Sequence, residues 1–435
     1  MNVGENISHH SASKKSFEVV NPDIFQNNNF VNGQNLEKAR KKEALFKKIF
    51  IAIAYFALII CIEQVYREYL FDESIDFQED IREDHDKGSA FYDFWKVMSV
   101  FGEAKVTFPI FAVIFLFFPL NSSFLTLQSL IYSIYVTNLL KIIYRNGRPY
   151  WKSTFLDVVC NSGYGNPSGH SVTSACYYLT LPHIVTNFNF FIAQTKGRVL
   201  KIIIFLLFDI LAGLVCLSRI FLAAHSINQV IYGFTLGLGI YFVLIYILSY
   251  HTYLPEKFIK HITSKIVVLF YMLFHIIILA LLIIIYLVLD DNEKITNKAD
   301  REIFNGIRCK IKDKYLKYKY DGFFQALAIT SLIGAHLGII LLVRLLKKKN
   351  YVINGYITEF NQSSVKRWLI RLPILLISGI FIILNFTIPG DSSLAIIFIF
   401  KSALSFFLTT LGIYFVGIFI CIHYDFANEN IEILE

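Results

Sequence analysis

Three residues with chemical capability stand together in Ser218-Arg219-Ile220-Phe221-Leu222-Ala223-Ala224-His225-Ser226-Ile227-Asn228-Gln229, with hydrophobic sequence on both sides. A guanidinium holds an anion, an imidazole attacks or carries a proton, and an amide oxygen can orient that imidazole. Arg219 and His225 are six residues apart, about 120° apart on one continuous helix, so acting on one small group requires a break between them. His225 and Gln229 are four apart and share a face if a new helix begins near His225. One chemistry that fits is a phosphate held by Arg219 and attacked by His225, with Gln229 steering the imidazole. The alternative is a polar loop between two apolar segments that does no chemistry.

Two upstream stretches bear on that choice. Lys141-Ile142-Ile143-Tyr144-Arg145-Asn146-Gly147-Arg148-Pro149 closes an apolar segment, and Lys141 and Arg148 are seven apart, on one face two turns from each other. Asn146-Gly147 and Pro149 are expected to end the helix there. Both long side chains can converge on one anion, although basic residues at such ends also reach out to lipid headgroups. In Gly163-Tyr164-Gly165-Asn166-Pro167-Ser168-Gly169-His170-Ser171, Asn166 reads as an N-cap and Pro167 as the first helical residue. The freed N–H groups of Ser168 and Gly169 would then form an anion site at the helix start, within reach of His170. A capped helix with an incidental histidine is the plainer alternative.

These stretches are set in an apolar chain. Of its 435 residues 55% are hydrophobic and 17% charged, well under the roughly 25% charged residues of soluble domains. The expected fold class is all-α, a polytopic transmembrane helical bundle, because apolar runs of about spanning length recur. Ten spans are expected, near 49–65, 97–118, 124–144, 169–190, 200–218, 227–249, 265–289, 323–345, 368–388 and 394–424. Basic residues flank the inner ends: Lys38, Arg40, Lys41 and Lys42 before the first span, then Lys196 and Arg198, Lys257 and Lys260, and Lys347 to Lys349. The net charge of +8 therefore speaks to orientation and gives no ground for a nucleic-acid partner. Both termini are expected in the cytosol and the three polar stretches on the opposite side. The loop 290–322 falls outside despite nine basic residues, against the rule.

The expected organisation is a disordered cytosolic tail over 1–36, a basic flank and first span over 37–66, and an acidic outer loop over 67–96. A catalytic helical core over 97–250, a span bundle over 251–424 and a cytosolic tail over 425–435 follow. The N-terminal stretch has no apolar core with a small-residue cleavage site, so no cleaved signal peptide is expected. Glu103 and Lys105, inside the second span, read as an internal pair or as part of a substrate cavity. Six cysteines lack metal-ligand spacing, and Cys160 with Cys309, both in outer loops, is the one candidate disulfide.

Taken together, Lys141 to Pro149, Pro167 to His170 and Ser218 to Gln229 make the chain resemble the type-2 phosphatidic acid phosphatase/haloperoxidase superfamily. That superfamily's signature is Lys, six residues, Arg-Pro; then Pro-Ser-Gly-His; then Ser-Arg, five residues, His, three residues, Asp. The first two parts match fully, and the third matches except at Gln229. Within the superfamily the chain looks most like glucose-6-phosphatases, in Arg148-Pro149-Tyr150-Trp151 and in Cys216 through Gln229, where that branch also carries Gln. The resemblance implies a bundle of nine spans, fitting residues 97–424, with the first span here an addition.

The resemblance also implies roles. His225 would be the nucleophile that forms a phosphohistidine, with Gln229 orienting it. His170 would protonate the leaving oxygen and then activate water. Lys141, Arg148, Ser168, Gly169 and Arg219 would hold the phosphoryl oxygens. No metal or other cofactor is expected, since three cations neutralise the charge that magnesium often meets. The substrate class implied is a phosphomonoester, a sugar phosphate ahead of a lipid phosphate such as phosphatidic acid or a sphingoid phosphate. A non-catalytic transporter or scramblase on the same scaffold is the rival from another class. The endoplasmic reticulum is the membrane implied.

Overall fold

The computed structural model describes residues 22–85, 88–153, 156, 163–186, 197–248, 255–289, 322–348 and 402–419. The chain divides into two compact units, residues 1–51 and residues 52–435. In the first unit the described part, 22–51, is helical. The expectation of a disordered tail over 1–36 is corrected for 22–36, which begins helix α1, Pro22–Asp84. Proline suits the first helical position, and Gln34 to Arg40 is built from good helix formers, so local propensity carries the helix without any apolar periodicity.

α1 also corrects the acidic outer loop. Residues 67–84 are not a loop but the continuation of α1. Ile59, Glu63, Ser74 and Gln78 of this helix are buried, at spacings of four, eleven and four that fall on one helical face.

The next expected span, 97–118, is two helices, α2 (Ala90–Val100) and α3 (Ala104–Phe117), bent by 43°. Ser89 caps α2 through its side chain, 3.2 Å from the N–H of Tyr92. Glu103, the N-cap of α3, pairs with Lys105 at 2.8 Å on a partly exposed surface. The pair therefore sits at a bend, where water lowers its cost, rather than at the middle of a span.

α4 (Leu120–Tyr144) lies at the centre of the second unit. One apolar cluster joins it to α9 (Pro255–Ile262), α10 (Lys265–Val288) and α11 (Thr330–Lys348). Another joins it to α1, α3 and the helices around the polar stretches. α4 is rich in buried hydroxyls, and four of these are satisfied within the helix: Ser123 donates to Leu120 O, Thr126 to Ser122 O, Ser129 to Thr126 O and Ser133 to Leu130 O. Hydroxyls paired in this way can be buried without an unmet donor.

α5 (Gly169–Thr173) continues through a π-helical turn, Ser174–Tyr178, into α6 (Leu179–Thr186). α7 (Gly197–Phe221) and α8 (Ile227–Phe242) follow, and α12 (Leu404–Leu411) lies near the end of the described chain. α8 approaches α5 closely at two glycines four residues apart. A Cβ on Gly233 would lie 2.7 Å from Ser168 O, and one on Gly237 would lie 2.5 Å from Val172 O.

Among the described residues six helices are long and apolar enough to cross a membrane, or seven if α2 and α3 are one bent span. The expected count of ten is not reached. The expected span 368–388 and both ends of 394–424, outside 402–419, lie beyond the described residues, as do Cys160, Cys309, the loop 290–321 and the tail 425–435. The expected span 169–190 is described to Thr186 and is buried along nearly its whole length.

Gly237→Ala and Gly213→Ala test the close approach with the same single methyl group. At Gly213 a Cβ meets nothing within 4 Å, so helix propensity should stabilise by about 1 kcal/mol. At Gly237 overpacking should destabilise by about 1–3 kcal/mol. Unfolding of the detergent-solubilised protein measures both, and equal shifts would contradict the packing.

Candidate active site

The site forms where α4, α5, α7 and α8 end or begin together. α4 stops at Tyr144 because Arg145 turns left-handed, with φ 53°, and its N–H closes on Lys141 O at 3.0 Å. The stop thus lies one residue before the expected Asn146-Gly147. Residues 145–148 leave the helix, so Arg148 does not share a helical face with Lys141, as the seven-residue spacing suggested. It is aimed instead from extended backbone.

Arg148 is buried. Its Nε donates to Gly163 O at 2.9 Å, and Nη1 donates to Ala224 O at 3.0 Å. The same Nη1 lies 3.3 Å from His225 Nε2. Lys141 stands in the last turn of α4, with Nζ 3.9 Å from where a Cβ on Gly169 would be.

The expected break between Arg219 and His225 lies at residues 222–226, between α7 and α8. Ala223 takes φ 50°, and Arg219 O accepts from both Ala224 N and His225 N, at 3.0 and 3.2 Å. Ser226, extended, is the N-cap of α8. Arg219 is buried and donates from Nη1 to Ser99 Oγ of α2. Its Nε has no hydrogen-bond partner among the described residues. None of Lys141, Arg148 and Arg219 forms an ion pair with a described residue.

The geometry around His225 specifies its tautomer. Nδ1 lies 2.8 Å from Gly165 O and 3.1 Å from Gln229 Oε1. Both partners accept, so Nδ1 carries the proton and Nε2 keeps a lone pair towards Arg148. Gln229 is held in turn, since its Nε2 donates to Gly147 O at 2.7 Å, which stops the amide from flipping. Gly165 makes room for this arrangement, because a Cβ there would run into Gly147 O and the Gln229 amide. Burial, then the charges of Arg148, Arg219 and Lys141 with a contribution from His170, hold the His225 imidazole well below the usual histidine range. These surroundings favour the neutral form of His225.

The start of α5 differs from expectation. The N-cap is Ser168, not Asn166, and Asn166 uses its side chain elsewhere, donating from Nδ2 to Glu63 Oε1 at 2.7 Å and lying 3.3 Å from Asn146 Oδ1. The Ser168 N–H is not free for an anion, because it donates to Gln229 O at 3.0 Å. Gly169 and His170 open the helix beside Lys141. The α2–α3 bend presses on His170, so that a Cβ on Gly102 would lie 2.5 Å from its Cδ2. The structure thus gathers Lys141, Arg148, His170, Arg219 and Gln229 around His225, with Gly169 beside Lys141, while the Ser168 N–H is already committed.

Residues 123–253 match the family model of the PAP2 superfamily. All three polar stretches fall in this PAP2 region, whereas α1 to α3 precede it. Phosphatidylglycerophosphatase B of Bacillus subtilis (strain 168) is 31% identical over 90 residues, 21% of this chain and 42% of that protein. Glucose-6-phosphatase catalytic subunit 1 of Mus musculus is 39% identical over 85 residues, 19% of this chain and 24% of that protein. The chain thus spans less than half the length of these curated relatives. A transmembrane PAP2 type phosphatidylglycerolphosphate phosphatase from Bacillus subtilis, known by crystal structure, aligns with 44% of this chain and 93% of its own, at 20% identity and a TM-score of 0.38.

The PAP2 region alone does not supply every contact of the site. Glu63, Ser74 and Gln78 of α1 and Ser99 of α2 reach it from outside. Their signal in the sequence is the four-residue spacing of Ser74 and Gln78, hidden among the acidic residues read as a loop.

Gln229→Leu keeps the shape but removes one of the two Nδ1 acceptors and the Gly147 contact. Losing these buried bonds should slow turnover roughly tenfold or more, with the unfolding temperature little changed. Gln229→Asp adds a charge that stabilises the imidazolium, so the acid limb of activity should move to higher pH than in the parent. A folded Leu variant with parental turnover would remove the orienting role.

Proposed function

We propose that the chain is an integral-membrane phosphomonoesterase that hydrolyses a sugar phosphate of the glucose 6-phosphate type through a phosphohistidine at His225. The observation that carries this reading is an imidazole whose Nδ1 faces two acceptors and whose Nε2 faces Arg148, beside buried Arg148 and Arg219, which form no ion pair with a described residue. Such a site favours an anion, which a phosphate supplies.

In the proposed first step the Nε2 lone pair attacks phosphorus, the ester P–O bond breaks, and His170 gives its proton to the leaving alkoxide. Arg148, Arg219 and Lys141, with the Gly169 end of α5, hold the three phosphoryl oxygens as charge develops. In the second step His170 takes a proton from water, the hydroxide attacks phosphorus, and the P–N bond breaks to release inorganic phosphate. Gln229 keeps Nδ1 protonated and the ring aimed in both steps. The cationic side chains do the neutralising work, so the proposal includes no metal.

The names of the relatives support two substrate classes. The 39% identity to a protein named glucose-6-phosphatase catalytic subunit 1 favours a sugar phosphate. The relative named phosphatidylglycerophosphatase B supports a lipid phosphate as the second reading. Intact Arg219, His170 and His225 weigh against a non-catalytic transporter or scramblase. The reading also takes residues 97–250 as the catalytic core, with the site on the lumenal or outer face of the membrane and both termini cytosolic. The endoplasmic reticulum is the proposed membrane.

The test is a phosphate-release panel with purified protein and glucose 6-phosphate, phosphatidic acid, phosphatidylglycerophosphate and sphingosine 1-phosphate. Glucose 6-phosphate should be hydrolysed fastest, and His225→Ala should release nothing above background. Preference for a lipid phosphate would overturn the sugar assignment, and release from none would overturn the enzyme.

A further inference from the structure

The break between α7 and α8 exposes backbone groups that a continuous helix would pair, and three of them are met from α1. A helix end leaves its last carbonyls and its first N–H groups without partners. The carbonyls of Ile220 and His225 both accept from Gln78 Nε2, at 3.1 and 2.8 Å, and the N–H of Ile227, first residue of α8, donates to Ser74 Oγ at 2.8 Å. Ser74 in turn donates to Leu70 O within α1. Gln78 is 2% exposed and Ser74 fully buried, so water does not substitute for these bonds. On the same face of α1, Glu63 accepts from Asn166, which leads into the start of α5, and is itself paired with Arg67.

We infer that α1 is a working part of the site, and that Gln78 is a positioning residue that fixes the backbone of His225 and thereby the aim of its Nε2. The side-chain contacts of His225 at Nδ1 set the rotation of the ring, but they cannot set where its Cα stands. The two donors of one amide group do that, bridging the last turn of α7, which carries Arg219, to the residue that carries the imidazole. Gln78 touches no phosphate ligand and no ring nitrogen, so its effect should fall on attack and not on phosphate binding. The inference rests on the phosphatase reading above, because it assigns Gln78 a part in that reaction. It goes beyond that reading because α1 lies outside the PAP2 region.

The experiment compares the parent, Gln78→Leu and Gln78→Glu in the full-length detergent-solubilised protein, with p-nitrophenyl phosphate as substrate and inorganic phosphate as competitor. Gln78→Leu keeps the volume and removes both donors. Its kcat should fall about tenfold or more, while KM and the inhibition constant of inorganic phosphate stay within about threefold. Gln78→Glu loses the donors when ionised and regains one O–H donor when protonated. Its activity relative to the parent should therefore rise as pH falls, and that of Gln78→Leu should not. A Gln78→Leu enzyme with parental kcat, or one losing kcat only in proportion to folded protein, overturns the inference. A flat Gln78→Glu ratio across pH overturns it as well. A parent that releases nothing overturns both this and the phosphatase reading, whereas an active parent with an unaffected Gln78→Leu overturns this one alone.

Discussion

Placing Arg148 and Arg219 inside an apolar bundle, beside Lys141 and without an ion pair to any described residue, is the constraint on which the rest of the structure depends. Buried cations are costly unless paired, and here their fixed contacts are backbone carbonyls and a serine hydroxyl. Those contacts orient the guanidinium groups but leave their charge unmet. The free energy to hold them together comes from the surrounding fold. α4 contributes a helix buried along most of its length with four of its hydroxyls bonded to its own carbonyls, and the glycine face of α8 lets backbone approach backbone. A dianion entering the site would remove the conflict, so the affinity for phosphate in the proposed function would be a consequence of the packing.

The histidine is governed by the same economy of polar groups. Nδ1 has two acceptors, Nε2 has a donor, and each acceptor is fixed by something else: Gln229 by Gly147 O, and the Gly165 loop by a bond from Gly165 N to Asn146 O at 2.8 Å. The chain segments after α4, before α5 and after α7 are thus tied to one another through a single imidazole. Gln229 serves both helix and chemistry, because its Oε1 also lies 3.4 Å from Ser226 N at the start of α8. A side chain with one acceptor and one donor end can join these roles, whereas an aspartate could supply charge but no donor to Gly147 O.

Much of the site was legible because its chemistry needs particular residue types at short spacings. Arg219, His225 and Gln229 could be read with the break they require, since a six-residue offset cannot converge on a continuous helix. Lys141 and Arg148 were legible as a pair but not in geometry, because the left-handed turn at Arg145 is a backbone event with no glycine to mark it. The start of α5 shifted to Ser168 because Asn166 had a better partner in Glu63, 103 residues away. α1 was the largest miss. Its outer part is strongly acidic, which resembles a solvated loop, and the worth of Ser74 and Gln78 lies in backbone groups some 150 positions onward. No local pattern announces a partner at that distance.

The central claim is that His225 Nε2 is the atom that takes the phosphoryl group. Rapid acid-free quenching of a single turnover with a ³²P-labelled phosphomonoester, followed by peptide mapping, tests it most directly. The account predicts an acid-labile, alkali-stable label on the peptide that contains His225, absent when that residue is alanine. Label on His170 or on a hydroxyl or carboxylate side chain, or label that persists in His225→Ala, would contradict it.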